Sequence, residues 1–303
     1  MVQRIVEELA ASYNGKVEEI AFVVGDFGAE VEAELRRVAA ELGARASIYY
    51  QKEPLGTAHA ILCAKDSMEG PCMVAFADTL FQADFRIHPE DQGVIWVKQV
   101  EDPSAFGVVQ TDEAGIIQAF VEKSPVFVSD LAIIGIYYFR DGAGLKASLQ
   151  YLVDHDIRDK GEYQLTSALE NMKRAGLPFR AAAIEEWLDC GNKEHLLATN
   201  RRMLELKDAQ EPLVHPDACI EHSVIIPPCY IGKGAQVLNS VLGPYVSIGY
   251  NSSIEHSVIA DTLIQNDSII RNSILKNSLI GNHVEYTGRA DDTSVGDYTK
   301  HTT

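Results

Sequence analysis

Twelve aliphatic residues recur at steps of five or six between residues 220 and 280, and no other feature of the chain constrains its fold as much. They are Ile220, Ile225, Ile231, Val237, Leu242, Ile248, Ile254, Ile259, Ile264, Ile270, Leu275 and Ile280. An α-helix repeats at about 3.6 residues and a plain strand at about 2, so neither accounts for the period. A left-handed parallel β-helix of hexapeptides does. Each aliphatic side chain points inward, and each coil buries its face against the next. Gly232-Lys233-Gly234 and Gly249-Tyr250-Asn251 suit tight corners. The five-residue steps fall mostly where Asn, Asp or His precedes Ser or Thr, which marks a shortened turn. An irregular β-sandwich is the competing arrangement.

Before Pro212 apolar strand-like runs alternate with helical segments. Ile20–Val24 reads as a buried strand, followed by a helix over roughly Glu30–Leu42. Further strands are expected at Ser47–Gln51, Cys72–Phe76, Gly93–Val100, Ile116–Glu122 and Ala132–Phe139. Helices are expected near Thr57–Lys65, Leu145–His155, Leu165–Ala175 and Asn192–Lys207. This alternation predicts an α/β, Rossmann-like domain with a mostly parallel sheet over residues 1–210, with the β-helix occupying 211–303.

The net charge of −18 argues against nucleic acid as a partner, because phosphate backbones require basic patches. A nucleotide can still bind where the cations are local. The five cysteines form no CxxC pair and are odd in number, which suggests neither a zinc site nor a disulfide framework. No run approaches the roughly 20 apolar residues that span a bilayer, and the first residues lack the apolar core of a signal peptide, so the expected location is cytoplasmic.

The segment Gln51–Ala60, QKEPLGTAHA, leaves an expected strand and enters an expected helix. Gly56 permits close approach of a ligand to the backbone. Thr57 is placed to cap the helix that follows, whose first amides favour anions. Gln51 offers a donor and an acceptor for a base edge. The same turn also serves as an ordinary structural connection.

Here the chain resembles the sugar-1-phosphate nucleotidyltransferases (nucleoside-diphosphate-sugar pyrophosphorylases). QKEPLGTAHAI is similar to their Q-x-x-PLGTA-x-A segment, which implies that Gln51, Gly56 and Thr57 bind the nucleotide. AFADTLF resembles the G-D-x-L/I-F motif whose Asp holds magnesium, here Asp78, with Ala77 in the usual Gly position. DPSAFGVVQTDEAGIIQAFVEKS is similar to D-P-x-x-[FY]-G-V-V … F-x-E-K-P, with Ser124 replacing the Pro. The resemblance implies that Gly107 lies against the sugar, Glu122 binds its hydroxyls and Lys123 its phosphate. IIGIYYF matches the strand lining the sugar pocket, and GEYQLTSALENM offers Glu162 as a further sugar-hydroxyl acceptor. EEWLDCGN resembles W-x-D-x-G-[TN], whose Asp completes the Mg2+ site, here Asp189. The implied reaction joins a sugar 1-phosphate to a nucleoside triphosphate, UTP or dTTP favoured over GTP, and releases pyrophosphate. Lys123, Asp78 and Asp189 carry the catalysis, and a homo-oligomer is expected.

Members of that family open with a G-x-G-T-R-L-x-P-L-T loop, which this sequence does not contain. Residues 1–7 instead resemble the helix after the loop, which implies an N-terminal truncation, as from a misplaced start, and a chain that is inactive or nearly so. A non-catalytic regulatory or scaffold paralogue is the alternative. A hexapeptide acyltransferase using His222, His256 or His283 is a third reading.

Overall fold

The computed structural model describes residues 2–13, 16–82 and 87–288. Met1 and residues 289–303 of the expected β-helix lie outside them. Contacts divide the chain into two units, Met1–Leu188 and Asp189–Thr303.

The first unit opens with α1 (Val2–Ser12), β1 (Glu19–Val24), α2 (Ala29–Glu41), β2 (Arg45–Tyr50) and α3 (Thr57–Cys63). It continues with β3 (Cys72–Ala75), β4 (Thr79–Gln82), β5 (Gly93–Gln99), β6 (Gly107–Thr111), β7 (Ile117–Glu122) and β8 (Leu131–Phe139). Then come α4 (Gly142–Asp154), α5 (Leu165–Arg174), β9 (Phe179–Ala183) and β10 (Glu186–Asp189). The largest sheet has the order β7-β6-β8-β5-β9, with β3 also paired to β8. β8 is apolar throughout, as a strand covered on both faces must be. Ile133, Tyr137 and Phe139 join the core packed with α3, α4 and α5. Ile134, Ile136 and Tyr138 join a second core with Ile5, Phe81 and Trp96.

The sheet differs from the expected mostly parallel one. β3, β5 and β6 all run antiparallel to β8, β6 and β7 form an antiparallel pair, and only β5–β9 is parallel. For β6 and β7 the cause is local: the Asp112–Gly115 turn joins them directly, with Asp112 accepting from the amides of Ala114 and Ile116. No helix intervenes, so the chain must reverse. β1 and β2 pair in parallel as a separate two-stranded sheet, and β1 is mostly half-buried, with only Phe22 fully covered. The expectation of a buried strand there holds for the strand but not for its burial.

The second unit contains α6 (Lys193–Asp208) and a parallel β-helix. The aliphatic residues stack in three columns. Ile220 lies over Val237, Ile254 and Ile270; Ile225 over Leu242, Ile259 and Leu275; Ile231 over Ile248, Ile264 and Ile280. Those of the middle coils are fully buried, whereas Ile220 in the first coil is 36% exposed. His222, Asn239, His256, Asn272, Asp261 and Asn277 hold positive φ between 47° and 51° at the shortened turns, which allows the five-residue steps. His222, His256 and His283 are all exposed at corners. α6 is tied to the coils by Arg201 paired with Asp261 and by Asn200 accepting from the Ser247 hydroxyl at 2.7 Å.

Inside the corners runs a ladder of buried hydroxyls. Ser240, Ser257 and Ser273 each donate an amide to the hydroxyl of the serine one coil earlier, at 3.0–3.1 Å. Ser257 Oγ in turn donates to Glu255 O at 2.8 Å. Ser257→Ala orphans the buried Ser273 amide and is expected to cost about 2 kcal/mol. Urea unfolding of the β-helix transition measures it, and a loss under about 0.5 kcal/mol would refute the ladder's role.

Candidate active site

Six of the motif residues, Gln51, Gly56, Thr57, Glu162, Gly107 and Glu122, are linked by contacts within the first unit. β2 ends at Tyr50, so Gln51 begins the connection to α3, and its amide donates to Gly56 O at 3.1 Å. Gly56 precedes α3 with φ 107° and ψ 176°, a backbone region essentially closed to other residues. A Cβ there would lie 2.6 Å from Tyr163 O and 2.9 Å from Glu162 Cβ. Two backbone bonds hold this contact, Tyr163 N to Leu55 O at 2.8 Å and Ala58 N to Tyr163 O at 2.9 Å. The nucleotide motif and the Glu162 motif are thereby clamped together.

Thr57 does not cap its own helix, contrary to the expectation. α3 has no side-chain cap, and the Thr57 hydroxyl instead accepts from Leu165 N at 3.0 Å, the first residue of α5. The side chain points across the clamp because α5 starts there with an otherwise uncapped amide.

Gly107 opens β6 and Glu122 closes β7, and the two pair directly across the ladder. Glu122 Oε2 lies 3.0 Å from where a Gly107 Cβ would be and accepts from the Thr166 hydroxyl at 3.1 Å. Burial pushes the Glu122 carboxyl above its ordinary value. The Thr166 hydroxyl and the charges of Lys123 and Lys160 pull it down without offsetting that, while Asp159 adds to the rise. Tyr137 is also pushed up, by burial first and then by the negative charges of Glu122 and Asp78. Asp78 follows β3, whose Ala75 pairs with Ile136 of β8, next to Tyr137.

Lys123 is exposed and holds φ 41°, and its carbonyl accepts from Lys160 Nζ at 2.9 Å. Two ammonium groups thus flank the Glu122 segment. Lys160, Thr166 and Tyr163 were not singled out from sequence, although Lys160 immediately precedes the GEYQLT run and Thr166 ends it. Trp187 Nε1 donates to Thr79 Oγ1 at 2.7 Å, beside the strand that follows Asp78.

Magnesium takes oxygen ligands and keeps several waters, so a few carboxylates and substrate phosphates suffice for it. Asp78 is exposed, with no hydrogen bond or ion pair among the described residues. In the second unit Asp189 Oδ1 accepts from Gly191 N at 2.8 Å and Oδ2 from His195 Nδ1. Each Asp189 oxygen keeps a lone pair, so each of the two carboxylates is chemically fit to share a magnesium ion with phosphate oxygens and water. Among the described residues no group of three or more His, Cys, Asp or Glu side chains forms a complete metal cage.

The raised Glu122 carboxyl also bears on stability. Folding opposes its ionised form, an opposition absent below the ordinary carboxylate range and fully expressed above the raised value. Glu122→Gln is therefore expected to raise the melting temperature at pH 7, and the gain should vanish as the pH falls through that range. Paired thermal scans at pH 4 and 7 check it; an equal effect at both would contradict the assignment.

The strand ends and loops of this mixed α/β sheet gather the Gly56-Thr57 turn, the half-buried Glu122, the exposed Glu162 and the lysines 123 and 160. The chain belongs to the nucleotidyl transferase family, whose model matches residues 1–205. Over 292 residues it is 26% identical to a glucose-1-phosphate thymidylyltransferase of Streptomyces griseus, covering 89% of this chain and 80% of that one. Its fold is similar to a nucleoside-diphosphate-sugar pyrophosphorylase from Vibrio cholerae, with a TM-score of 0.55 at 17% identity over 64% of this chain and 84% of that chain. It also resembles a UDP-glucose pyrophosphorylase complexed with UDP-glucose, with a TM-score of 0.53 at 23% identity over 67% and 86% of the two chains. At these identities the structural likeness speaks to the fold alone.

Proposed function

We propose that the site of this chain is built to transfer a nucleotidyl group from UTP or dTTP, in preference to GTP, to a sugar 1-phosphate with release of pyrophosphate, turnover also requiring the G-x-G-T-R loop that this sequence does not contain. The observation that carries the reading is the clamp of Gly56 on Tyr163 and Glu162. It sets the nucleotide motif beside Glu162, one of the two proposed sugar acceptors, within one unit. An oxygen of the sugar phosphate attacks the α-phosphorus, forming the new P–O bond as the bond to the β-phosphate oxygen breaks. The nucleophile is already anionic, so no side-chain base is needed, and catalysis consists of holding two polyanions in line. Glu122 and Glu162 accept from sugar hydroxyls, and Lys123 neutralises the incoming phosphate. Gln51, Gly56 and Thr57 form the base side of the site. Mg2+, with Asp78 and Asp189 as the proposed carboxylates, would offset charge on the phosphates.

The test is pyrophosphate release by the full chain across a panel of nucleoside triphosphates and sugar 1-phosphates, with Mg2+ and with chelator. Release with UTP or dTTP that disappears in Asp78→Ala supports the reading. Absence of release with every pair, both from this chain and from one carrying the family's G-x-G-T-R-L-x-P-L-T loop ahead of residue 1, would favour a non-catalytic paralogue.

Assembly as a homo-oligomer belongs to the same proposal. Val224, Val258 and Ile274 stack in one outward column of the β-helix with Val241 between them, 57%, 48% and 86% exposed. Light scattering that finds only monomer would remove this part.

A further inference from the structure

Gln51 is not a free amide. Its Nε2 donates both to Gly56 O and to His59 Nδ1, each at 3.1 Å. A backbone carbonyl can only accept, so the end of the amide facing Gly56 must be the NH2 group, and the opposite flip would set two carbonyl oxygens against each other. His59 Nδ1 must then accept the second hydrogen, which leaves the imidazole proton on Nε2. Both amide hydrogens are used within the protein. Oε1 takes no hydrogen bond among the described residues, so Gln51 presents a lone acceptor.

We propose that His59 fixes Gln51 as an acceptor only, and that among pyrimidine nucleotides this pair selects those whose base carries an N–H at ring nitrogen N3. The proposal rests on the base lying against Gln51, as in the function proposed above. Among pyrimidines, uracil and thymine present N3–H to the Gln51 oxygen. Cytosine presents a lone pair at N3, which faces the Oε1 lone pairs and repels them. A free glutamine amide reads both bases, because it can donate to the cytosine ring nitrogen. Locked by His59, it cannot. His59 is a positioning residue: Gly56 O sets the flip of the amide, and His59 acts by taking its second hydrogen.

The test uses the full chain with Mg2+ and saturation-transfer NMR, which reads weak binding, with UTP, CTP and N3-methyl-UTP. The native chain is expected to bind UTP at least tenfold more tightly than CTP, and N3-methylation should remove that advantage. His59→Leu frees one amide hydrogen and should bring the UTP:CTP ratio within about threefold, because the amide can now donate. His59→Gln, which restores a carbonyl acceptor, should recover most of the ratio. A ratio does not depend on the folded fraction, so a destabilised variant still discriminates between the outcomes. A native ratio retained in His59→Leu but lost in Gln51→Leu would overturn the role of His59 while leaving the base at Gln51. UTP binding unchanged in Gln51→Leu, or no binding of any nucleotide, would overturn the placement of the base and the inference with it.

Discussion

Gly56→Ala should lower the stability of the first unit by about 4 kcal/mol, near 10 °C in melting temperature, and disrupt the proposed nucleotide site. Two effects add. A side chain at this φ and ψ costs about 1–3 kcal/mol in backbone strain. The new methyl would also sit 2.6 Å from Tyr163 O and 2.8 Å from Tyr163 N, both backbone atoms that cannot move aside alone. The segments must part, and the Leu55–Tyr163 and Ala58–Tyr163 hydrogen bonds stretch or break. Gly28 supplies the control. It precedes α2 with nearly the same backbone, φ 83° and ψ 168°, but a Cβ there meets nothing within 4 Å. Gly28→Ala should therefore show the strain alone. Calorimetry on both variants separates the effects, and equal losses would show that close approach contributes nothing.

Asp91→Ala is expected to cost about 3–5 kcal/mol, because it removes the two-pronged carboxylate partner of a partly buried guanidinium. Asp91 is 7% exposed and accepts two bonds from Arg180, Nε at 2.8 Å and a terminal nitrogen at 2.6 Å, plus the His88 amide at 2.7 Å. Arg180 is the second residue of β9, which pairs with β5 two residues after Asp91, so the pair staples two strands of the sheet. Burial pushes the Asp91 carboxyl up, but the Arg180 and His88 hydrogen bonds outweigh it and hold the group below its ordinary value. Stability from such a depressed acid is present above the ordinary carboxylate pKa and is lost as the pH falls through the lower folded value. Asp91→Asn should therefore differ from the native chain by a constant amount above the ordinary carboxylate range and converge with it as the pH falls through the lowered folded value. Replacing both partners, Asp91→Leu with Arg180→Met, should recover most of the loss. A double variant as unstable as Asp91→Ala would show that the cost is packing and not an unpaired charge.

Periodicity carried the β-helix. An inward aliphatic every five or six residues leaves few alternatives, since each coil repeats the previous environment and local spacing equals global register. Strand positions in the first unit were legible for a related reason: runs such as LAIIGIYYF are too apolar to lie anywhere but between two packed layers. Direction was not legible. Whether β8 runs with or against β5 depends on which distant segments pair, and alternation of helices and strands is silent about a hairpin such as β6–β7.

The same division holds at the site. The sequence by itself determined the residue types: a glycine where backbone must approach backbone, carboxylates and a lysine in ordered motifs, and a glutamine entering a helix. Tertiary structure alone decided how they are used. Thr57 caps α5 from more than 100 residues away, Thr166 reaches Glu122, Lys160 leans on Lys123, and His59 takes the second hydrogen of Gln51. Hydrogen bonds and burial act over a few ångströms in space, whereas the chain order records only neighbours along a line, so a polar side chain's partner becomes known only when the fold closes.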